Sequence, residues 1–284
     1  MTSQDTRDLG RVRLYPPPAR GFDPLTAGKE ELKRHGLPLR PDPHAQPGMA
    51  ALWERWSRRY RDFEHLEPEI DRSTVREPAT DAALGLPPIQ SCGYQLSSSA
   101  PFTALFVTWT VPNLRFSPSP FGINRFHTFV GLGFLDVHVE MTVNSAQSVT
   151  SRLSAVGVGQ INLPVGPGDV INGALCLDNR PPGRANYVLT NETRGQTVNF
   201  SFDTGFPPAV TINAGVTRDF TTPPDFPLAR FGVVYFDEIS AFTTNGSLSL
   251  TSGQAVTMVD TNGSTLARPV RLNDFAFKAV HTAN

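Results

Sequence analysis

Residues 136 to 143, Asp-Val-His-Val-Glu-Met-Thr-Val, alternate without a break between polar and apolar side chains. A period of two belongs to a β-strand, because successive Cβ atoms of an extended chain point to opposite faces. Asp136, His138, Glu140 and Thr142 then share one face, and Val137, Val139, Met141 and Val143 share the other. A strand of this kind is covered on one side only, so the chain must build a sheet with a core beneath it. Its wet face holds three ionisable groups spaced roughly 6 to 7 Å apart, close enough to couple electrostatically and to share a ligand.

The rest of the chain beyond Ile89 repeats the theme. Leu105, Val107, Trp109 and Val111 alternate with Phe106, Thr108 and Thr110, and Pro112 ends that ladder because it has no N–H to donate. Similar stretches predict strands over 126–134, 149–161, 169–177, 185–190, 196–202, 209–213, 229–242, 247–250, 255–259 and 274–280. Pro167-Gly168, Pro182-Gly183 and the Asn-Gly pairs at 245–246 and 262–263 supply turns. The pattern is that of two stacked antiparallel sheets, an all-β sandwich.

Charge divides the chain. Residues 1–86 carry 14 of the 25 basic and 14 of the 26 acidic residues, so the remainder is sparsely charged. We read 1–86 as a Pro-rich arm and 87–284 as the sandwich. In the arm, residues 27–35 predict a short helix capped by Thr26 and stopped by Gly36 and Pro38. Residues 49–63 predict a second helix, with Leu52, Trp53, Trp56, Tyr60 and Phe63 on one side and Glu54, Arg55, Arg58, Arg59 and Arg61 on the other. That aromatic stripe is expected to dock on the chain's own sandwich, with a neighbouring chain, hence a homo-oligomer through the arm, as the alternative.

A net charge of −1 with no basic stripe argues against nucleic acid. No apolar run is long enough to span a membrane, and the N-terminus lacks the charged-then-apolar pattern of a secretory signal, so a cytoplasmic protein is expected. In that compartment Cys92 and Cys176 are expected as free thiols. Asp136, His138, Glu140 and His127 match no metal motif, and no phosphate loop or nucleophile elbow is present, so no metal or cofactor is expected.

The order of segments resembles a known family. Gln90-Ser91-Cys92-Gly93-Tyr94, Val107-Thr108-Trp109-Thr110-Val111-Pro112, Phe129-Val130-Gly131-Leu132-Gly133, Pro164-Val165-Gly166-Pro167-Gly168-Asp169, Asn191-Glu192-Thr193-Arg194-Gly195 and Pro227-Leu228-Ala229-Arg230-Phe231-Gly232 are similar to the successive landmarks of the glutamic peptidases, the eqolisins. The likeness spans roughly 88–282. It implies a concanavalin-like sandwich and metal-free acid endopeptidase chemistry, in which a Glu activates water and a Gln helps hold the oxyanion. Against that pattern the catalytic Gln falls on Glu140 and the catalytic Glu on Gly215, while family Trp positions are Ser91, Phe129 and Val216.

Glycine cannot activate water, so the resemblance with its broken dyad implies a non-catalytic binding or structural protein. Asp136, His138 and Trp109 are the expected ligand-binding residues, for a peptide, protein or glycan. Two alternatives stay open: an acid endopeptidase with a rebuilt Glu140 and Asp219 site, and a lectin-like carbohydrate-binding module.

Overall fold

A computed structural model describes residues 6–75, 90–178, 183–205, 207–218 and 226–282. The arm contributes β1 (Arg7–Leu9), β2 (Val12–Leu14), α1 (Lys29–Arg34), α2 (Pro47–Tyr60), β3 (Glu64–His65) and β4 (Ile70–Asp71). The body begins with β5 (Ser91–Ser97), β6 (Phe102–Thr110), β7 (Ile123–Leu132), β8 (Leu135–Asn144), β9 (Val149–Ala155) and β10 (Gly159–Ile161). It continues through β11 (Val170–Asp178), β12 (Arg184–Asn191), β13 (Gln196–Asp203), β14 (Thr211–Thr217) and β15 (Val233–Thr243). Last come β16 (Gly246–Leu248), β17 (Gln254–Val256), β18 (Met258–Val259), β19 (Thr265–Arg271) and β20 (Phe277–His281).

Two sheets stack. The first runs β1-β2-β13-β12-β11-β6-β15-β20-β19-β18, with β16 on β15 and β3 on β13. The second runs β17-β5-β14-β7-β8-β9-β10-β4. All pairings are antiparallel except that of β3 with β13. One continuous core lies between the sheets, built from the inward residues of both, among them Leu105, Val107 and Trp109 of β6, Val137, Val139 and Met141 of β8, and Ala214 and Val216 of β14. The all-β sandwich expected from the alternation is the observed fold.

Some expected boundaries shift. The expected 149–161 strand is broken, because Gly157 takes φ +74 in a turn between β9 and β10. The segment expected at 209–213 pairs instead over Thr211–Thr217, running through Gly215. The β1–β2 hairpin and the Pro-containing β19 carried no clear strand pattern. Helix α1 starts at Gly28 without a side-chain cap, while Thr26 donates to the Asp23 carbonyl. Both cysteines are free, and burial pushes both thiols up to about 12.

The arm is sewn into the body. Helix α2 lays Leu52, Trp53, Trp56 and Tyr60 onto Ala104, Phe106, Ala174, Val188 and Phe242, the outward residues of the first sheet. The stripe is thus covered by the chain's own sheet, the internal docking that its spacing predicts. Phe63 lies past the helix end at Tyr60. At that end Arg59 pairs with Glu192 at 3.1 Å and Glu238 at 3.0 Å, and Asn199 donates to the Tyr60 hydroxyl at 2.6 Å. Tyr60→Phe is expected to lower stability by about 1 kcal/mol, read from urea unfolding, because it removes the shorter of the two hydrogen bonds donated by the buried Asn199 amide, leaving that to the His35 carbonyl at 3.3 Å. The expected boundary at 86/87 lies outside the described residues. Among the described residues no helix is long and apolar enough to cross a membrane.

Candidate functional site

The outward face of the second sheet carries the polar side of β8. Register fixes its neighbours. Asp136 lies opposite Gly131, His138 opposite Phe129 and Ser154, and Glu140 opposite His127 and Arg152. Across β14 the same rows continue as Asn213, Gly215 and Thr217, and across β5 as Gln95, Gly93 and Ser91. The opposite face of β8 is fully buried in the core. The strict alternation therefore did locate a polar patch on the sheet's outer side.

Four charged groups on that patch form one chain. His138 Nδ1 meets Asp136 Oδ1 at 2.7 Å and His138 Nε2 meets Glu140 Oε1 at 3.1 Å. Arg152 Nε donates to Glu140 Oε2 at 2.6 Å, and its Nη2 meets the same oxygen. With a carboxylate at each ring nitrogen, the imidazole donates on both sides and is held as the cation. Burial opposes that charge, but the hydrogen bonds and charges of Asp136 and Glu140 outweigh it and His138 is pushed up to about 9. The His127 ring stacks on His138 with centroids 5.5 Å apart and planes 13° from parallel.

Glu140 thus spends one oxygen on an imidazolium and the other on a guanidinium. A water-activating carboxylate needs a free oxygen of adequate basicity beside the water, and this one has neither side open. Arg152 was not singled out from sequence. Folding the hairpin about Ala146 brings residue 152 opposite 140, and that symmetry was the available signal.

The position that the family resemblance gives to the water-activating Glu is Gly215, directly opposite Gly93. The two backbones approach so closely that a Cβ on Gly215 would stand 2.3 Å from the Cys92 carbonyl oxygen, and a Cβ on Gly93 2.0 Å from that of Ala214. No side chain of any kind fits there without moving a strand. Trp109, expected at the ligand surface, is instead core. It is 1% exposed, and its indole N–H donates to Thr128 Oγ1 at 3.0 Å between the sheets. β6 points its odd residues inward, which is why the indole cannot reach the polar face. Asp219 lies outside the described residues. Among the described residues no group of three or more His, Cys, Asp or Glu side chains is placed to hold a metal ion.

Comparison with known proteins agrees with this architecture. The model of the Peptidase A4 family matches residues 90–274. No curated protein matches the chain in a sequence search. The solved structure of scytalido-glutamic peptidase with a transition-state analogue inhibitor has a TM-score of 0.55 at 15% identity, covering 68% of this chain and 98% of that one. SCP-B, a member of the eqolisin family of peptidases in complex with the tripeptide Ala-Ile-His, has a TM-score of 0.53 at 16% identity over 68% and 98%.

Proposed function

The chain belongs to the Peptidase A4 family, and we propose that it keeps the family's sandwich as a non-catalytic binding protein. The observation that carries this reading is the apposition of Gly215 and Gly93, which leaves no volume for a water-activating carboxylate. The state of Glu140 supports it, since both of its oxygens are engaged. What the outer face offers in place of a dyad is a fixed row of charge. Its two ends reach solvent, Asp136 with 29% and Arg152 with 43% of the side chain exposed.

Those ends lie roughly 13 Å apart along the strand direction, four residues at the strand rise. An extended peptide laid across β8 and β9 would meet an acid at one end and a base at the other, with the His138 imidazolium between them holding the geometry rigid. A polypeptide segment is therefore the ligand class that fits best.

Incubation of the full chain with unstructured peptides at roughly pH 3 to 7, followed by mass spectrometry, is expected to yield no fragments. The same peptides immobilised are expected to retain the protein, and Asp136→Ala is expected to weaken retention roughly tenfold, as loss of one charge-assisted contact does. Cleavage that disappears in Glu140→Gln would overturn the non-catalytic reading. Retention unchanged in both Asp136→Ala and Arg152→Ala would remove this face as the ligand surface.

A further inference from the structure

Leu114 and Ala229 both turn into the core, and between the segments that follow them lies an isolated antiparallel bridge, Arg115 to Arg230. Arg115 N donates to the Arg230 carbonyl at 2.8 Å, and Arg230 N donates back at 3.0 Å. This is a hydrogen-bonded pair, so the two Cα atoms stand about 5.5 Å apart with both side chains on the same side. Phe231 is buried, so both guanidiniums face solvent. Like charges placed directly opposite each other destabilise a bridge, so the arrangement costs the fold something.

Among the described residues neither guanidinium has a carboxylate partner. Elsewhere in the body Arg152 is matched by Glu140, Arg184 by Asp203 and Arg194 by Asp169, while the exposed Arg268 of β19 has no such partner among the described residues; what distinguishes Arg115 and Arg230 is that the bridge sets two such side chains directly opposite each other. The two segments are also pinned. Ser117 Oγ donates to the Leu228 carbonyl at 2.9 Å, and buried Asn124 donates to the carbonyls of Ser117 at 3.0 Å and Pro227 at 3.4 Å. The backbone under the pair is therefore fixed before any ligand arrives.

We propose that Arg115 and Arg230 form an oxyanion fork, a binding site for a tetrahedral dianion of the phosphate or sulfate class. Two planar guanidiniums offer two pairs of parallel donors, which match two edges of a tetrahedral group. A carboxylate has a single edge and would leave one fork unused. A doubly charged ligand also cancels the repulsion that the bridge builds in. His281 sits close enough to report on the site. Its ring meets Phe231 edge-on at 5.2 Å, Ala267 is its strand partner, and burial together with the Arg230 charge holds its imidazole below the usual range.

The test titrates the full chain with sodium sulfate and with sodium phosphate at constant ionic strength, against sodium acetate and chloride, by calorimetry and by the NMR titration of His281. Saturable binding of sulfate or phosphate is expected, with the His281 pKa moving up as the Arg230 charge is neutralised. Arg115→Gln and Arg230→Gln are each expected to weaken binding roughly tenfold or more. Arg268→Gln, an exposed arginine on β19, is expected to leave it unchanged. The bridge itself is backbone, so the two glutamine variants keep the fold, and without dianion they are expected to be at least as stable as the parent. Linear, non-saturating heat, an equal response to acetate, or equal binding in both glutamine variants would each overturn the site. The ratio of sulfate to phosphate affinity separates the two members of the class.

Discussion

Gly215→Ala is expected to lower the unfolding free energy by about 3 kcal/mol, the upper end for an overpacked site, because the added methyl must displace backbone rather than a flexible side chain. The Cβ would meet the Cys92 carbonyl at 2.3 Å and the Gly93 Cα at 3.0 Å, both backbone atoms of the paired strand β5. Gly131 provides the control. It lies on the neighbouring strand, and its added Cβ would meet the Leu135 carbonyl at 3.3 Å, with Asp136 Oδ2 at 3.8 Å and the Asn213 carbonyl at 3.9 Å in ordinary contact, so Gly131→Ala is expected to cost less than half as much. Urea midpoints of the two variants measure the difference.

The same geometry sets the outcome of restoring the dyad. Glu140→Gln combined with Gly215→Glu places the expected residue types at both family positions, yet is expected to yield unstable protein without peptidase activity. A folded, peptide-cleaving double variant would show that the strands can part around residue 215, and would end the claim that the site is closed.

The second large effect concerns His138. Its folded pKa of about 9 lies above the ordinary 6.5, so the group adds stability that is fully present below pH 6.5 and is lost as pH rises through 9. The size is about 3 kcal/mol, from the displacement between the two values. Urea unfolding at about pH 6, 8 and 10 is expected to show the decline, and His138→Gln is expected to remove it. The variant should also lose about 3–5 kcal/mol at pH 6, since it leaves Asp136 and Glu140 facing each other across a neutral amide. A parent protein whose stability is flat over this range would mean that the imidazole is not held as a cation.

How far the chain could be read follows from what a local pattern encodes. The polar face of β8 was legible because alternation is a property of one strand, and the α2 stripe because helical spacing is likewise local. Trp109 was misplaced for the complementary reason: whether its face of β6 looks inward depends on which sheet covers it, which no single segment states. Arg152 and the Gly93–Gly215 contact belong to register, the alignment of strands distant in sequence. Glycine at 215 could be seen as a lost carboxylate, but not as a sealed position, because the sealing is done by the backbone of another strand. The β1–β2 hairpin was missed because three-residue strands take their conformation from the sheet they join.

The short strands of the arm have a consequence for how the molecule can be assembled in time. β2 pairs with β13, the last long strand at one border of the first sheet, and β4 pairs with β10 at a border of the second. Tyr15 and its partner Ser201 are separated by 186 positions. A ribosome therefore releases the hem before the cloth exists, and these opening residues must wait, unpaired, until both sheets have condensed. Once in place they cover peptide groups that would otherwise template other chains. A truncated product lacking them is expected to be prone to filament formation even where its interior is fully formed.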